Sequence, residues 1–229
     1  MTVTPSRRGP TSRSIQAAET RERLVQAAIE QFSEHNFDDV AVTDIAKSAG
    51  VAHGLLFHYF GNKRGIYLEA MRTAARDLDS ALAVSPDLPP GEQIREMFRG
   101  HLEYLAAHRG LASRLVSGGR GADPEAWAFF EEDRWHAIEW VAKVLGLNPD
   151  SRALRLMLRS SVAAIDEATV QWLEHGKPFT VEKMVEVFVE ITIGNLRAAA
   201  HLDGRVKIQA AVEVLAGEPP KRAGASRRT

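Results

Sequence analysis

Between Thr43 and Lys63 the chain has to make two short helices joined by a sharp bend, and that bend constrains the fold more than any other feature. Thr43-Asp-Ile-Ala-Lys-Ser-Ala49 has helical spacing, Gly50 follows, and the pattern resumes over residues 53–59. Glycine suits so tight a reversal because it accepts positive φ at no steric cost. Ile45, Ala46, Ala49, Val51 and Leu56 supply an apolar side for Leu24, Ala28 and Phe32 of an earlier helix to cover. The second short helix has an unusual make-up. His53, His58 and Tyr59 lie among Leu55, Leu56, Phe57 and Phe60, and no acidic residue interrupts them. A buried helix does not need those polar groups, and a solvated one does not carry so many apolar ones. A surface that reads base edges and phosphates uses both.

Helical periodicity continues almost throughout, with no alternating strand, no hairpin dipeptide and no internal repeat. The expected fold class is all-α. The first helix is expected over residues 18–35, with Asn36 stopping it in a left-handed conformation. Short helices at 43–49 and 53–59 follow, and Asn62 caps a fourth that ends near Val84. Pro86, Pro89, Pro90 and Gly91 then break the chain. Further helices are expected at 93–107, 111–117, 124–145, 151–174, 181–200 and 206–215. Asp123-Pro124 and Asn148-Pro149 each place a cap before a proline whose missing N–H costs nothing in a first turn. Thr180 caps the helix that follows it, and Gly176 ends the one before.

Composition sets bounds on partners. Apolar residues make up 45% of the chain and charged ones 26%, the balance of an ordinary globular protein. There is no cysteine, so disulfides and thiolate metal sites are excluded, which fits a reducing cytoplasm. No apolar run approaches the roughly 20 residues of a membrane span, and no hydrophobic region follows the early arginines as a secretory signal requires. The net charge of −1 does not announce a nucleic-acid partner, but its distribution is uneven. Arg7, Arg8 and Arg13 have no acidic neighbour within residues 1–18, and Lys221, Arg222, Arg227 and Arg228 face Glu218 alone. Residues 1–17 and 217–229 are therefore expected to be disordered basic arms. Residues 18–63 form the expected DNA-binding unit, and 64–216 a larger helical domain.

The pattern resembles the TetR family of transcriptional regulators. The resemblance rests on residues 21–71: the paired alanines and phenylalanine of the first helix, Asp44-Ile-Ala46, Ala49-Gly-Val51, and His58-Tyr-Phe60 with Lys63 three residues on. It implies that the second short helix enters a major groove of double-stranded DNA. On that likeness Ala52, His53, Gly54, Phe57 and His58 match positions that face bases or nearby phosphates. Thr43, Tyr59 and Lys63 match positions at the sugar-phosphate backbone. Lys63 also starts the fourth helix, where N–H groups and the helix dipole already favour an anion. Three positions depart from the family pattern. Val40 and Ala41 stand where a threonine cap is common, and His53 replaces a common lysine, making its contact depend on protonation. Leu55 replaces Thr or Ser, which favours an apolar contact such as a thymine methyl.

The larger region carries a candidate effector pocket. Trp127, Phe130 and Ile138 recur at helical spacing with Arg134 in the same stripe, and Phe98, Leu102 and Leu105 line a face of the helix after Pro90. Aromatic faces around one cation suit an elongated apolar effector with an acidic or carbonyl head. The alternative is a packed core with Arg134 paired to a carboxylate at its edge. The helix after Thr180 is apolar over roughly 240° of its circumference, where one partner face needs about 100°. The surplus, with the family's four-helix interface, implies a homodimer through residues 151–174 and 181–200. Such a dimer expects a roughly palindromic operator. No cofactor is expected. The competing function is a helical bundle binding metal or a small molecule for catalysis, suggested by Asp133-Arg-Trp-His136, although that motif has no second copy here.

Overall fold

The structure is a computed structural model and describes residues 11–110 and 123–217. These residues form nine helices and no strand. The helix expected at 111–117, the glycine-rich loop after it, and the arginines and lysine of the two arms at positions 7, 8, 221, 222, 227 and 228 lie outside them. The chain divides into two compact units between Ala74 and Ala75.

The first unit opens with α1, Ser12–Glu34, which starts six residues earlier than the sequence suggests. Thr11 provides the start by accepting a hydrogen bond from the Ser14 amide, so residues 12–17 are helix rather than part of a disordered arm. Nor does Asn36 take a left-handed conformation: Lys177 is the only non-glycine with positive φ among the described residues. The Asn36 side-chain amide instead donates to Asp39 at 3.1 Å. Two short helices follow, α2 (Val42–Ser48) and α3 (His53–Phe60). The core of the unit is Leu24, Ala28 and Phe32 of α1 with Ile45, Ala46 and Leu56, all buried as the apolar spacing implies. A ring cluster flanks it, with Tyr67 edge-on to both Phe32 and Phe37 at 4.9 and 5.0 Å. Tyr67 belongs to α4, Lys63–Ala81, whose first turn is capped by Asn62.

The second unit contains α5 (Pro90–Ala107), α6 (Pro124–Val144), α7 (Arg152–Glu174), α8 (Val181–Leu202) and α9 (Gln209–Leu215), together with the end of α4. Caps read from sequence hold at Asp123 and Thr180. They fail at Asn148: its side chain closes a turn onto the Asp150 amide, and Ser151 caps α7. Gly176 ends α7 in a left-handed conformation, and Lys177 continues it with φ 58. The Trp172 indole donates to the Phe179 carbonyl at 2.9 Å and fixes the α7–α8 turn. Phe188 is fully buried and meets the Phe98 ring edge-on at 5.6 Å. Arg95 joins three helices, with Nε 2.8 Å from Glu186 of α8 and Nη2 donating to the Leu215 carbonyl of α9. At Gly100 a Cβ would lie 2.1 Å from the Ala81 carbonyl oxygen, so only glycine lets α5 approach the end of α4 this closely.

Because Phe188 has no exposed surface and an aromatic partner, Phe188→Ala should cost about 3–5 kcal/mol. Urea unfolding at a fixed protein concentration checks this; an unchanged midpoint would place Phe188 outside the core.

Candidate nucleic-acid interface and interior chamber

The bend between α2 and α3 is closed by backbone alone. Gly50 N–H donates to Lys47 and Val51 N–H to Ala46, at 3.1 and 3.0 Å, with Gly50 at φ 64. This double closure is the way a helix normally ends on a left-handed glycine. Arg23 of α1 reaches across to donate to the Ala49 carbonyl at 3.2 Å, so a side chain from another helix holds the bend. No side chain caps α2 or α3, as the alanines at 41 and 52 imply. A second left-handed glycine, Gly61 at φ 76, ends α3.

Leu56 is the one buried residue of α3. Ala52, His53, Gly54, Phe57 and His58 are exposed, and Leu55, Tyr59 and Phe60 are half-buried. Phe57 keeps 43% of its surface in solvent, a large fraction for an aromatic ring. His53 meets the edge of Phe57 at 5.0 Å and His58 that of Tyr59 at 5.2 Å, giving two ring pairs along the helix. Thr43 is exposed in the first turn of α2. Lys63 has local partners: its ammonium donates to the Asp38 carbonyl at 3.2 Å and stands 4.7 Å from the Phe37 ring centroid. Sequence reasoning missed those partners and also Arg21, which lies over Phe60 at 5.2 Å while pairing with Glu69. An arginine three residues before the first core leucine carried no signal of its own.

In the second unit α4, α5, α6 and α7 line a cavity of about 90 Å³ that is partly open to solvent, with Asp79 exposed at its edge. Phe98, Phe130 and Arg134 line it as expected. Leu102, Leu105 and Ile138 do not; they are buried in the core on the same helices. Trp127 does not line it either but stacks on the Arg134 guanidinium at 4.6 Å. Arg134 is not a free cation awaiting an acidic head. Its Nη2 is 2.9 Å from Asp166 and its Nη1 3.5 Å from Glu131, which Arg159 approaches at 2.7 Å. The alternative of an arginine paired at the core's edge is the arrangement found.

The lining residues that sequence did not single out are polar as well as apolar: His101, Asp166, Asp133 and Asp79 join Leu78, Leu82, Met97, Val162 and Ile165. His101 is buried, with Nε2 3.2 Å from the Thr169 hydroxyl. That hydroxyl donates to the Ile165 carbonyl, so it accepts from His101, which carries its proton on Nε2. Burial, foremost, and the Arg134 charge push the imidazole below its ordinary 6.5, against the opposing pull of Asp166. Burial also raises the Asp133 carboxyl, and Asp79 raises it further. Among the described residues no group of three or more His, Cys, Asp or Glu is placed to hold a metal ion. None of their helices is long and apolar enough to cross a membrane.

Comparison with known proteins adds a family. A family model for bacterial regulatory proteins of the tetR family matches residues 24–70, and one for a tetracyclin repressor-like C-terminal domain matches residues 90–194. The HTH-type transcriptional regulator BetI of Stenotrophomonas maltophilia is 35% identical over 86 residues, 36% of this chain and 44% of that protein. The chain thus spans less than half the length of this relative. A tetR-family transcriptional regulator from Streptomyces coelicolor has a similar fold, with TM-score 0.72 and 24% identity over 88% of this chain and 90% of that one. FadR from Bacillus subtilis in complex with stearoyl-CoA superposes with TM-score 0.62 at 19% identity, over 76% and 98% of the two chains.

The state of His101 has a pH signature. The folded ring stays neutral where the unfolded one, with its ordinary value of 6.5, takes up a proton. Its stabilising contribution is complete above about pH 6.5 and declines as acidification continues toward the lowered folded value. The drop in melting temperature between about pH 7.5 and pH 5.5 should therefore be smaller in His101→Gln than in the unsubstituted protein. An equal drop would show that the imidazole is not held neutral.

Proposed function

The chain belongs to the TetR family of bacterial regulatory proteins, and on that premise we propose that it is a sequence-specific DNA-binding transcriptional regulator, a repressor released by a small, largely apolar effector. The observation that carries this reading is α3. One buried leucine holds it, two left-handed glycines bound it, and it has no carboxylate and a solvent-facing row of His53, Phe57 and His58. In this reading Ala52, His53, Gly54, Leu55, Phe57 and His58 meet base edges and nearby phosphates in a major groove, Leu55 by apolar contact. Thr43, Tyr59 and Lys63 contact the sugar-phosphate backbone, Lys63 by turning from the Asp38 carbonyl to a phosphate oxygen.

The regulator acts as a homodimer through α7 and α8. Leu156 on α7 and Val187 on α8 support this: 59% and 47% of their surfaces are exposed, a poor arrangement for aliphatic side chains in water. A two-fold dimer presents its reading helices about one DNA turn apart, which calls for a roughly palindromic operator. The effector occupies the chamber, and α4 supplies Lys63 at one end and the chamber residues Leu78 and Asp79 at the other. Effector binding shifts the population toward a state with wrongly spaced reading helices, to the extent that it binds that state more tightly.

A gel shift with DNA flanking the protein's own gene tests the main reading, and absence of any shifted complex would end it. With a shifting fragment in hand, Lys63→Ala should weaken binding to all sequences alike and reduce the salt slope by about one. A loss of affinity with the slope unchanged would leave Lys63 only its role at Asp38 and Phe37. For the dimer, Leu156→Arg with Val187→Arg should give monomers by sedimentation velocity at micromolar concentration. A persistent dimer would move the interface off these helices.

A further inference from the structure

We propose that the chamber's ligand is an amphiphilic amine, with its apolar part between α4, α5, α6 and α7 and its ammonium group at Asp79 and Asp133. The proposal rests on reading the chamber as the effector site and adds the chemical class of the effector.

The walls come first. Leu78, Leu82, Met97, Phe98, Phe130 and Ile165 make the chamber apolar over most of its surface, so a hydrocarbon or aryl group belongs there. Charge then selects the head group. Asp79, Asp133 and Asp166 line the cavity, and Arg134 is the one lining cation among the described residues. Arg134 already answers Asp166 at 2.9 Å and Glu131 at 3.5 Å, with its guanidinium face on Trp127. An acidic head would compete with Asp166 and Glu131 for that guanidinium, whose single charge they already balance. His101 offers no positive charge to replace it, because burial keeps the ring below its ordinary range.

Asp79 and Asp133 are placed differently. Asp79 is exposed and Asp133 half-buried; among the described residues neither carboxylate forms an ion pair or a side-chain hydrogen bond, and the nearby Asp79 charge adds to burial in raising the Asp133 carboxyl, against the smaller pull of His136 and Arg134. A cation between them would remove that repulsion and gain two charge-assisted contacts. The space extends that way. A second hollow of about 270 Å³ shares Asp79, Leu82, Met97 and Ala137 with the chamber and adds Trp140, whose ring offers an ammonium group an electron-rich face. The ligand so described is a primary or substituted amine with an apolar body, not a carboxylate and not a neutral alcohol.

Calorimetric titration of the full-length protein, without DNA, compares octylammonium, octanoate and octanol below their aggregation concentrations. Octylammonium should bind at least about tenfold more tightly than octanoate. Asp79→Asn with Asp133→Asn should weaken octylammonium by about tenfold or more and leave octanol within about twofold. The same variant is expected to melt higher than the unsubstituted protein at neutral pH, because the disfavoured carboxylate is gone, so a loss of binding is not a loss of fold. Tighter binding of octanoate, octylammonium affinity indifferent to the two substitutions, or no binding of any of the three would overturn the proposal. DNA binding is scored separately by gel shift without ligand. A protein that binds octylammonium and no DNA would sink the regulator, and one that binds DNA and no amine would sink the amine.

Discussion

Leu56 is the pivot of the first unit. It is fully buried and alone on its helix in being so, and it anchors α3 with help from the half-buried Leu55, Tyr59 and Phe60. An eight-residue helix has almost no stability of its own in water. It persists here because Leu56 is buried in the same core as Leu24, Ala28, Phe32 and Ile45 and because the bend before it is closed by backbone and by Arg23. The small footprint has a corollary: with one residue fully buried, several other positions of α3 can face outward. In α3 those outward positions include two imidazoles and an aromatic ring, His53, His58 and Phe57.

The second unit handles charge in the opposite way, by enclosing it. Glu131, Arg134, Arg159 and Asp166 form a compact network across α6 and α7, in which each charge has an opposite partner. Such a network adds little net stability compared with an apolar core of similar shape, but removing one member strands the next. Next to it His101 and Thr169 form a neutral hydrogen-bonded pair. The chamber therefore has a fixed, electrically satisfied back wall and, away from it, two carboxylates with no ion-pair partner among the described residues, the exposed Asp79 and the half-buried Asp133.

Element type was legible in the sequence because helical periodicity and polar caps are local. Asn62, Asp123 and Thr180 cap the helices they precede, and each can be read within four residues. Local signals also mislead. Asn148-Pro149 has the form of a cap, yet the Asn148 side chain closes a turn and Ser151 takes the role. The early start of α1 was hidden because residues 12–17 have no apolar period, only a threonine at the right place. The outward face of α3 was readable from composition, since aromatic and imidazole groups without carboxylates rarely share a core. The chamber was readable only in part. Phe98 and Phe130 lie on the faces expected, but periodicity does not distinguish Leu102, which packs into the core, from Met97, which lines the space. Asp166, 32 positions beyond Arg134, shows why: partners on different helices leave no mark in either local pattern.

Gly100 has a further implication. Its missing side chain lets the last carbonyl of α4 sit where a methyl group would otherwise be, and the turn just before that carbonyl carries Leu78 and Asp79. The placing of two wall residues thus depends on a glycine that is not itself part of the wall. An alanine there would force the end of α4 or the facing turn of α5 to move, and with it the placing of Leu78 and Asp79.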